Sequence, residues 1–435
     1  MAIHSNLISL LFLATTITIL TISPRPTSAA TRRPQFNVVR FGARPDGRTD
    51  STRAFLTAWT RACGSRVRVI MLVPKGRFLV RNMQFTGPCR NRSIFVRILG
   101  TIVAPNNIWT TGNSPHWIEF HRVDGVTISG GVLDGKGAAL WACKKAGRSC
   151  PNGATTLSIS NSQNVVVSRL TSLNSHMFHM VINFCHNVKL QGVRISAPGN
   201  SPNTDGIHVQ FSTAVTIVSS KIATGDDCVS IGPGTANMLV DKVTCGPGHG
   251  ISIGSLGKDV NEQGVQNVTV RSTTFVGTTN GFRIKAWGKP SNGFARNILF
   301  QHATMYNVQN PIFIDQRYCP NRNCADQVKK KKVTHFCCCV FFVTLNYFVV
   351  VITYNFAPYT YHQGSGVRVS DVTYQNIRGT SATQVAVNFD CSNRSPCRGI
   401  RLNNVRLTYR NRAAVASCRN AGGTAYGFVQ PRSCL

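Results

Sequence analysis

Six residues in the middle of the chain have the types and spacing for acid–base chemistry. Asp205 sits in Asn203-Thr-Asp-Gly, Asp226 and Asp227 in Gly225-Asp-Asp-Cys, His249 in Gly248-His-Gly, and Arg283 and Lys285 in Arg283-Ile-Lys. Only 15 of 435 residues are Asp or Glu, yet three of them fall within 23 positions. Gathered on one face, such carboxylates suit cleavage of a glycosidic bond. A protonated one donates to the leaving oxygen while an ionised one activates water or attacks. Crowding like charges raises one pKa and supplies the protonated member. Nearby Arg and Lys hold anionic substrate groups and keep the remaining Asp ionised. Singly, each cluster has a plain structural reading: a turn sequence, a cation site, a packed turn histidine, a solvated strand face. Their order and spacing together favour chemistry.

The spacing comes from a repeat. Short β-type segments recur with a polar or Gly opening, often Asn, followed by apolar or β-branched positions, as in Gln163-Asn-Val-Val-Val, His186-Asn-Val-Lys-Leu, Gln266-Asn-Val-Thr-Val and Arg296-Asn-Ile-Leu-Phe. From Val165 the steps to Val188, Val215, Met238, Val268 and Ile298 are 23, 27, 23, 30 and 30 residues. A period of this size with short strands and dense turns predicts an all-β solenoid, a single-domain parallel β-helix, rather than an antiparallel sandwich with two-residue hairpins. Asn at the recurrent turn is expected to hydrogen-bond its copy in the next coil. Residues one coil apart stack, so Asp205, the Asp226–Asp227 pair and His249 would rise in successive layers, with Arg283 and Lys285 above them.

One segment breaks the period. Ile298 to Val367 is 69 residues, whereas Val367 to Ile400 is 33, and removing residues 328–363 restores the step to 33. That segment carries Lys329, Lys330, Lys331 and Lys332, then an uncharged Phe-, Val-, Tyr- and Asn-rich run, the composition AT-rich DNA gives when translated. Val328 and Gln363 suit the codons at intron borders, so 328–363 is expected to be a translated intron. A membrane span is the rival, but it would divide the coils between two sides of a membrane.

Lys and Arg number 48, a net charge of +33 with a pI near 10.4. This implies an anionic partner: nucleic acid, a membrane surface or an acidic polysaccharide. The cations are scattered Arg rather than a tail or amphipathic helix, and no zinc-finger or aromatic-platform motif accompanies them. Residues 1–30 read as a signal peptide: an apolar stretch from Leu7 to Ile22, then Ser28, Ala29 and Ala30, although the first residues lack Lys and Arg. Without the leader and residues 328–363 the net charge is still +28. A secreted monomer meeting polysaccharide, with no nucleic-acid or membrane partner, is the expectation. The 16 cysteines agree with an oxidising compartment, with close pairs Cys143/Cys150, Cys228/Cys245, Cys319/Cys324, Cys391/Cys397 and Cys418/Cys434. Cys63 and Cys89 would join, leaving Cys185 as a buried free thiol. Asn91-Arg-Ser and Asn267-Val-Thr are N-glycosylation sequons.

The sequence is similar to the plant polygalacturonases, a family of pectin-hydrolysing glycosidases. The likeness runs from Phe41-Gly-Ala-Arg-Pro-Asp-Gly to the C-terminal Cys, apart from residues 328–363. It is carried by Ser201-Pro-Asn-Thr-Asp-Gly-Ile-His-Val, Thr224-Gly-Asp-Asp-Cys-Val-Ser-Ile-Gly, Cys245-Gly-Pro-Gly-His-Gly-Ile-Ser-Ile-Gly and Asn280-Gly-Phe-Arg-Ile-Lys. The resemblance implies a right-handed parallel β-helix and inversion at the anomeric carbon, without metal or organic cofactor. It implies Asp226 as general acid, and Asp205 and Asp227 as the pair that positions and deprotonates water. His249 would support the acid's protonation or bind substrate; Arg283 and Lys285 would grip galacturonate carboxylates; Tyr318 would line the subsite beside the cut. Phe282 stands where the family often has Val, and is expected to alter substrate fit slightly. A Ca²⁺-dependent pectate lyase and a pectin-binding wall protein without turnover are the alternatives; endo versus exo cleavage depends on whether loops close one end of the groove.

Overall fold

The computed structural model describes residues 33–320 and 364–435, together with the backbone of Val328–Lys330 and Thr360–His362. The expected signal peptide, Cys324 and most of residues 328–363 lie outside the described residues. Residues Pro34–Leu435 form one compact unit.

Each turn of the chain contributes strands to three parallel ladders, giving the right-handed β-helix expected from the repeat. One ladder holds Gln163–Ser168, His186–Gln191, Thr213–Val218 and Ala236–Asp241; a second holds the three-residue strands Thr171–Leu173, Arg194–Ser196 and Lys221–Ala223. Farther along, Val265–Val276 and Phe294–Val308 run through both. The third ladder is an eleven-stranded sheet from Met83–Thr86 to Val415–Arg419.

Apolar side chains at the repeat positions turn inward and stack. Val165, Val188, Val215, Met238, Val268 and Ile298 are all at most 2% exposed, and the pairing puts Val165 on Val188 and Val268 on Ile298. Burying each such side chain contributes roughly 1.5–3 kcal/mol. At five of the six corners preceding these apolar positions Asn164, Asn187, Asn237, Asn267 and Asn297 adopt φ of 54, 55, 56, 56 and 55°, a left-handed conformation Asn tolerates, and Ala214 takes the same corner before Val215 at 56°. Their amides form the expected ladder: Asn187 donates to Asn164 at 2.7 Å, Asn267 to Asn237 at 3.0 Å and Asn297 to Asn267 at 3.3 Å. The helix Thr52–Gly64 covers one end of the core with Phe55, Ala58, Trp59 and Ala62.

Three expectations need correction. Ile298 pairs with Val372, not Val367, so the anomalous step is 372 − 298 = 74 residues, and removing 36 leaves 38 against 28 for the next, Thr373 to Arg401. The coil therefore keeps a long loop even without the segment. Phe282 is fully buried, stacked on Phe300 at 4.5 Å and edge-on to Phe275 at 5.1 Å. It belongs to the core, because strand alternation turns it away from its neighbour Arg283. Asn91 is 9% exposed and its Nδ2 donates to the carbonyls of Ala62 and Ser65, which leaves that nitrogen no room for a glycan in the fold.

Cys63–Cys89, Cys143–Cys150, Cys228–Cys245, Cys391–Cys397 and Cys418–Cys434 are disulfides. Cys319 is also disulfide-bonded. Cys185 is free and buried, its thiol pushed up to about 11 by burial.

Candidate active site

The site lies along the eleven-stranded sheet, on the strands Ile207–Gln210, Val229–Ile231, Ile251–Leu256, Asn280–Trp287 and Asn310–Tyr318, which pair in that order. Ile207, Val229 and Ile251 are in register. Asp205, Asp227 and His249, each two residues earlier, therefore stack on successive layers, with Asp226 beside them. The stacking read from the repeat holds.

Glycines make the approach possible. Gly248 and Gly250 flank His249 with φ of 150 and 93°. A Cβ on Gly250 would lie 2.1 Å from the carbonyl oxygen of Asn280, and one on Gly225 would lie 2.0 Å from that of Ser201.

Asp205 and Asp227 are buried, at 6% and 0% exposure. Ser230 donates to Asp205 at 2.7 Å and Ser252 to Asp227 at 2.8 Å. Lys285 Nζ lies 2.6 Å from Asp227 Oδ2. Asp226 faces outward and meets His249 Nδ1 at 3.1 Å. Burial, then the charges of Asp226 and Asp227, push the Asp205 carboxyl well above the usual carboxylate range. Burial also presses Asp226 upward, but the hydrogen bond and charge of His249 outweigh it and hold Asp226 below its ordinary value. His249 is raised in return, chiefly by its hydrogen bond to Asp226. The elevated carboxyl is thus Asp205, whereas Asp226 is depressed by its pairing with His249, which is raised in turn.

The cationic pair divides its work. The Lys285 ammonium is committed to Asp227, and the charge of that carboxylate outweighs burial to raise its pKa. Arg283 Nη2 pairs with Asp315 Oδ2 at 2.5 Å, while its buried Nε has no partner among the described residues. Both cations lie against Tyr318, at 5.0 Å for Arg283 and 5.3 Å for Lys285, and Tyr318 packs edge-on to Trp287. All seven residues singled out in the sequence are therefore brought together. Four partners escaped notice there: Ser230, Ser252, Asp315 and His208, whose Nδ1 meets Ser230 at 2.8 Å. Asp315 had a signal, since it lies one coil beyond Lys285 and in register with it. Asp226, Asp227 and His249 offer ligand atoms within 4.8 Å of one another, but Lys285 already supplies positive charge to Asp227.

The family profile "Glycosyl hydrolases family 28" matches residues 63–337 and 343–430. The chain belongs to this family. It is a glycoside hydrolase. It is 58% identical over 402 residues to a polygalacturonase of Prunus persica, covering 92% of this chain and 93% of that protein. An exopolygalacturonase of Platanus acerifolia is 39% identical over 401 residues, 91% of this chain and 96% of the other. Among solved structures, an endo-xylogalacturonan hydrolase from Aspergillus tubingensis superposes with a TM-score of 0.70 at 20% identity, covering 90% of this chain and all of that one. The polygalacturonase of Erwinia carotovora gives 0.66 at 23%, covering 93% and 100%. These two support the β-helix architecture of the family 28 chain.

Proposed function

We propose that this chain is a polygalacturonase, hydrolysing the α-1,4-galacturonosidic bonds of pectin or polygalacturonate with inversion. The observation that carries the reading is the stacked set of Asp205, Asp227 and the Asp226–His249 pair, next to Arg283, Lys285 and Tyr318. Asp226, the most outward of the three carboxylates, is the proton donor. Its proton comes from His249: Nδ1 gives it to Asp226 across the 3.1 Å contact, and Asp226 passes that same proton to the leaving oxygen, so that His249 ends neutral. Water attacks the anomeric carbon from the opposite face and loses a proton to the Asp205–Asp227 pair. Lys285 keeps Asp227 in place, and Arg283, oriented by Asp315, receives a galacturonate carboxylate.

The same reading places the enzyme outside the cell, in the wall, as a monomer released from residues 1–30 and needing no cofactor. No helix among the described residues is long and apolar enough to cross a membrane. Residues 328–363 are a translated intron within the catalytic domain. Two secreted forms, the full chain and one lacking 328–363, assayed for reducing-sugar release from polygalacturonate with and without chelator, test the assignment. Chelator-resistant release by the shortened form alone supports both the hydrolase and the intron. Release by both makes the segment a tolerated loop. Loss with chelator points to a lyase, and two folded but inactive forms point to a binding protein.

A further inference from the structure

A second run of surface chemistry lies away from the catalytic sheet, on the ladder of three-residue strands. Arg194 pairs in register with Lys221, and Lys221 with Thr244. The same rung line continues through Thr274 and Thr304 to Arg378 and Arg406. Seven successive rungs thus carry a cation or a hydroxyl and no carboxylate. At about 4.8 Å per rung the line is roughly 29 Å long. Around its first rungs lies an open groove of about 380 Å³, to which Lys242 adds a further cation from the corner. Arg194, Lys221, Lys242, Arg378 and Arg406 are exposed, and none makes an ion pair with an acidic side chain among the described residues. Two exposed arginines of neighbouring ladders are neutralised, Arg271 by Asp241 at 3.2 Å and Arg92 by Asp124 at 2.9 Å; what sets the line apart from other unpaired surface cations is its regular rung spacing.

We infer that this line is a second binding track for a polyuronate chain, separate from the catalytic groove and running along the helix axis. It rests on the polyuronate specificity proposed above. A polymer with a carboxylate on every sugar presents regularly spaced anions to regularly spaced cations, and the threonine rungs offer hydroxyls to sugar oxygens between them. No rung of the line is aromatic, and Tyr306, two residues from Thr304, is a lone exposed ring rather than a row on which successive bases would stack, which disfavours single-stranded nucleic acid. Lys221 begins the strand Lys221–Ala223, and the catalytic loop with Asp226 follows that strand's end. A chain held on the track therefore stays beside the site while another segment is cut.

The test uses the full chain carrying Asp226→Asn, so that column retention is read without turnover. Arg194→Ser, Lys221→Ser and Lys242→Ser are combined, and a charge-matched control combines Arg53→Ser, Arg61→Ser and Arg66→Ser, exposed cations at the capped end. The track variant is expected to bind immobilised polygalacturonate about tenfold more weakly than the control and to elute at lower salt. With Asp226 restored, and in whichever of the full and shortened forms turns over, it should hydrolyse trigalacturonate normally but show a raised KM on the long polymer. Equal retention of track variant and control overturns the inference, as does a loss seen on immobilised DNA but not on polygalacturonate. Retention reads binding alone, so failure of the hydrolase assignment would appear separately, as absent turnover in both the unmutated full chain and the unmutated form lacking residues 328–363.

Discussion

Lys285 Nζ reaches back past the strand Ile251–Leu256 to lie 2.6 Å from Asp227 Oδ2, and both side chains are almost wholly buried. A buried carboxylate that loses its partner is left without solvent or counter-charge. Lys285→Met should therefore cost about 3–5 kcal/mol of stability and abolish measurable turnover. Lys285→Arg keeps the charge but brings a planar fork into a space shaped for an ammonium, so it should recover stability better than activity. Denaturant melts and initial rates on polygalacturonate check both. Unchanged melts in the Met variant would remove the pairing from the account.

The Asp226–His249 contact makes a pH prediction with a definite sign. Asp226 is depressed, so its share of stability is present above the ordinary carboxylate value and fades as pH falls through its folded value. His249 is raised, so its share is full below about 6.5 and is lost as pH rises through its elevated value. Activity on the alkaline side should fall with deprotonation of His249, because the pair then has no proton to give. His249→Gln should move that limb to lower pH, where Asp226 alone must hold the proton, and reduce kcat by roughly 10²–10⁴. A pH–rate profile with the limb unmoved would show that His249 does not supply the proton.

The coil was legible because its signal is periodic. Val165, Val188, Val215, Met238, Val268 and Ile298 stack as their spacing predicts, and the Asn corners bond as their recurrence predicts. The stacking of the candidate site residues was legible for the same reason: in a solenoid, spacing in sequence becomes height along the axis. What lay outside that signal was missed. Val367 fits the repeat as an anchor only because the adjacent segment obscures the period, and strand pairing identifies Val372 instead. An effect of Phe282 on substrate fit follows from its place beside Arg283, but adjacency in sequence hides the alternation that sends it into the core. The pairing of Lys285 with Asp227 has no signal in sequence, because a lysine's partner depends on which carboxylate its stem can reach, and that is a three-dimensional fact.

His249 depends on the glycines beside it. Gly250 has φ of 93°, and an added Cβ would fall 2.1 Å from the Asn280 carbonyl and 2.6 Å from that of Gly281. Gly250→Ala should destabilise by at least about 1–3 kcal/mol from backbone strain alone, with a further loss of kcat as His249 shifts off Asp226. Gly277 offers a control, since it has φ of 60° but nothing within 4 Å of an added Cβ. Gly277→Ala should cost about 1 kcal/mol and leave kcat unchanged. Melts and rates of the two variants separate local strain from crowding at the site.

Phe282 lies one residue from Arg283, and the two positions should respond oppositely to truncation. Phe282 fills the interior against Phe300 and Phe275, so Phe282→Val removes buried volume and should cost roughly 2–4 kcal/mol, with the Km for polygalacturonate nearly unchanged. Arg283→Gln leaves the core intact but leaves Asp315 without its partner and removes the guanidinium beside Tyr318. It should raise KM strongly while lowering stability less. If Phe282→Val instead raises KM without changing the melt, the side chain acts on substrate and its placement in the core is wrong. Because the backbone strand is common to both variants, the contrast isolates which face of the sheet each side chain serves.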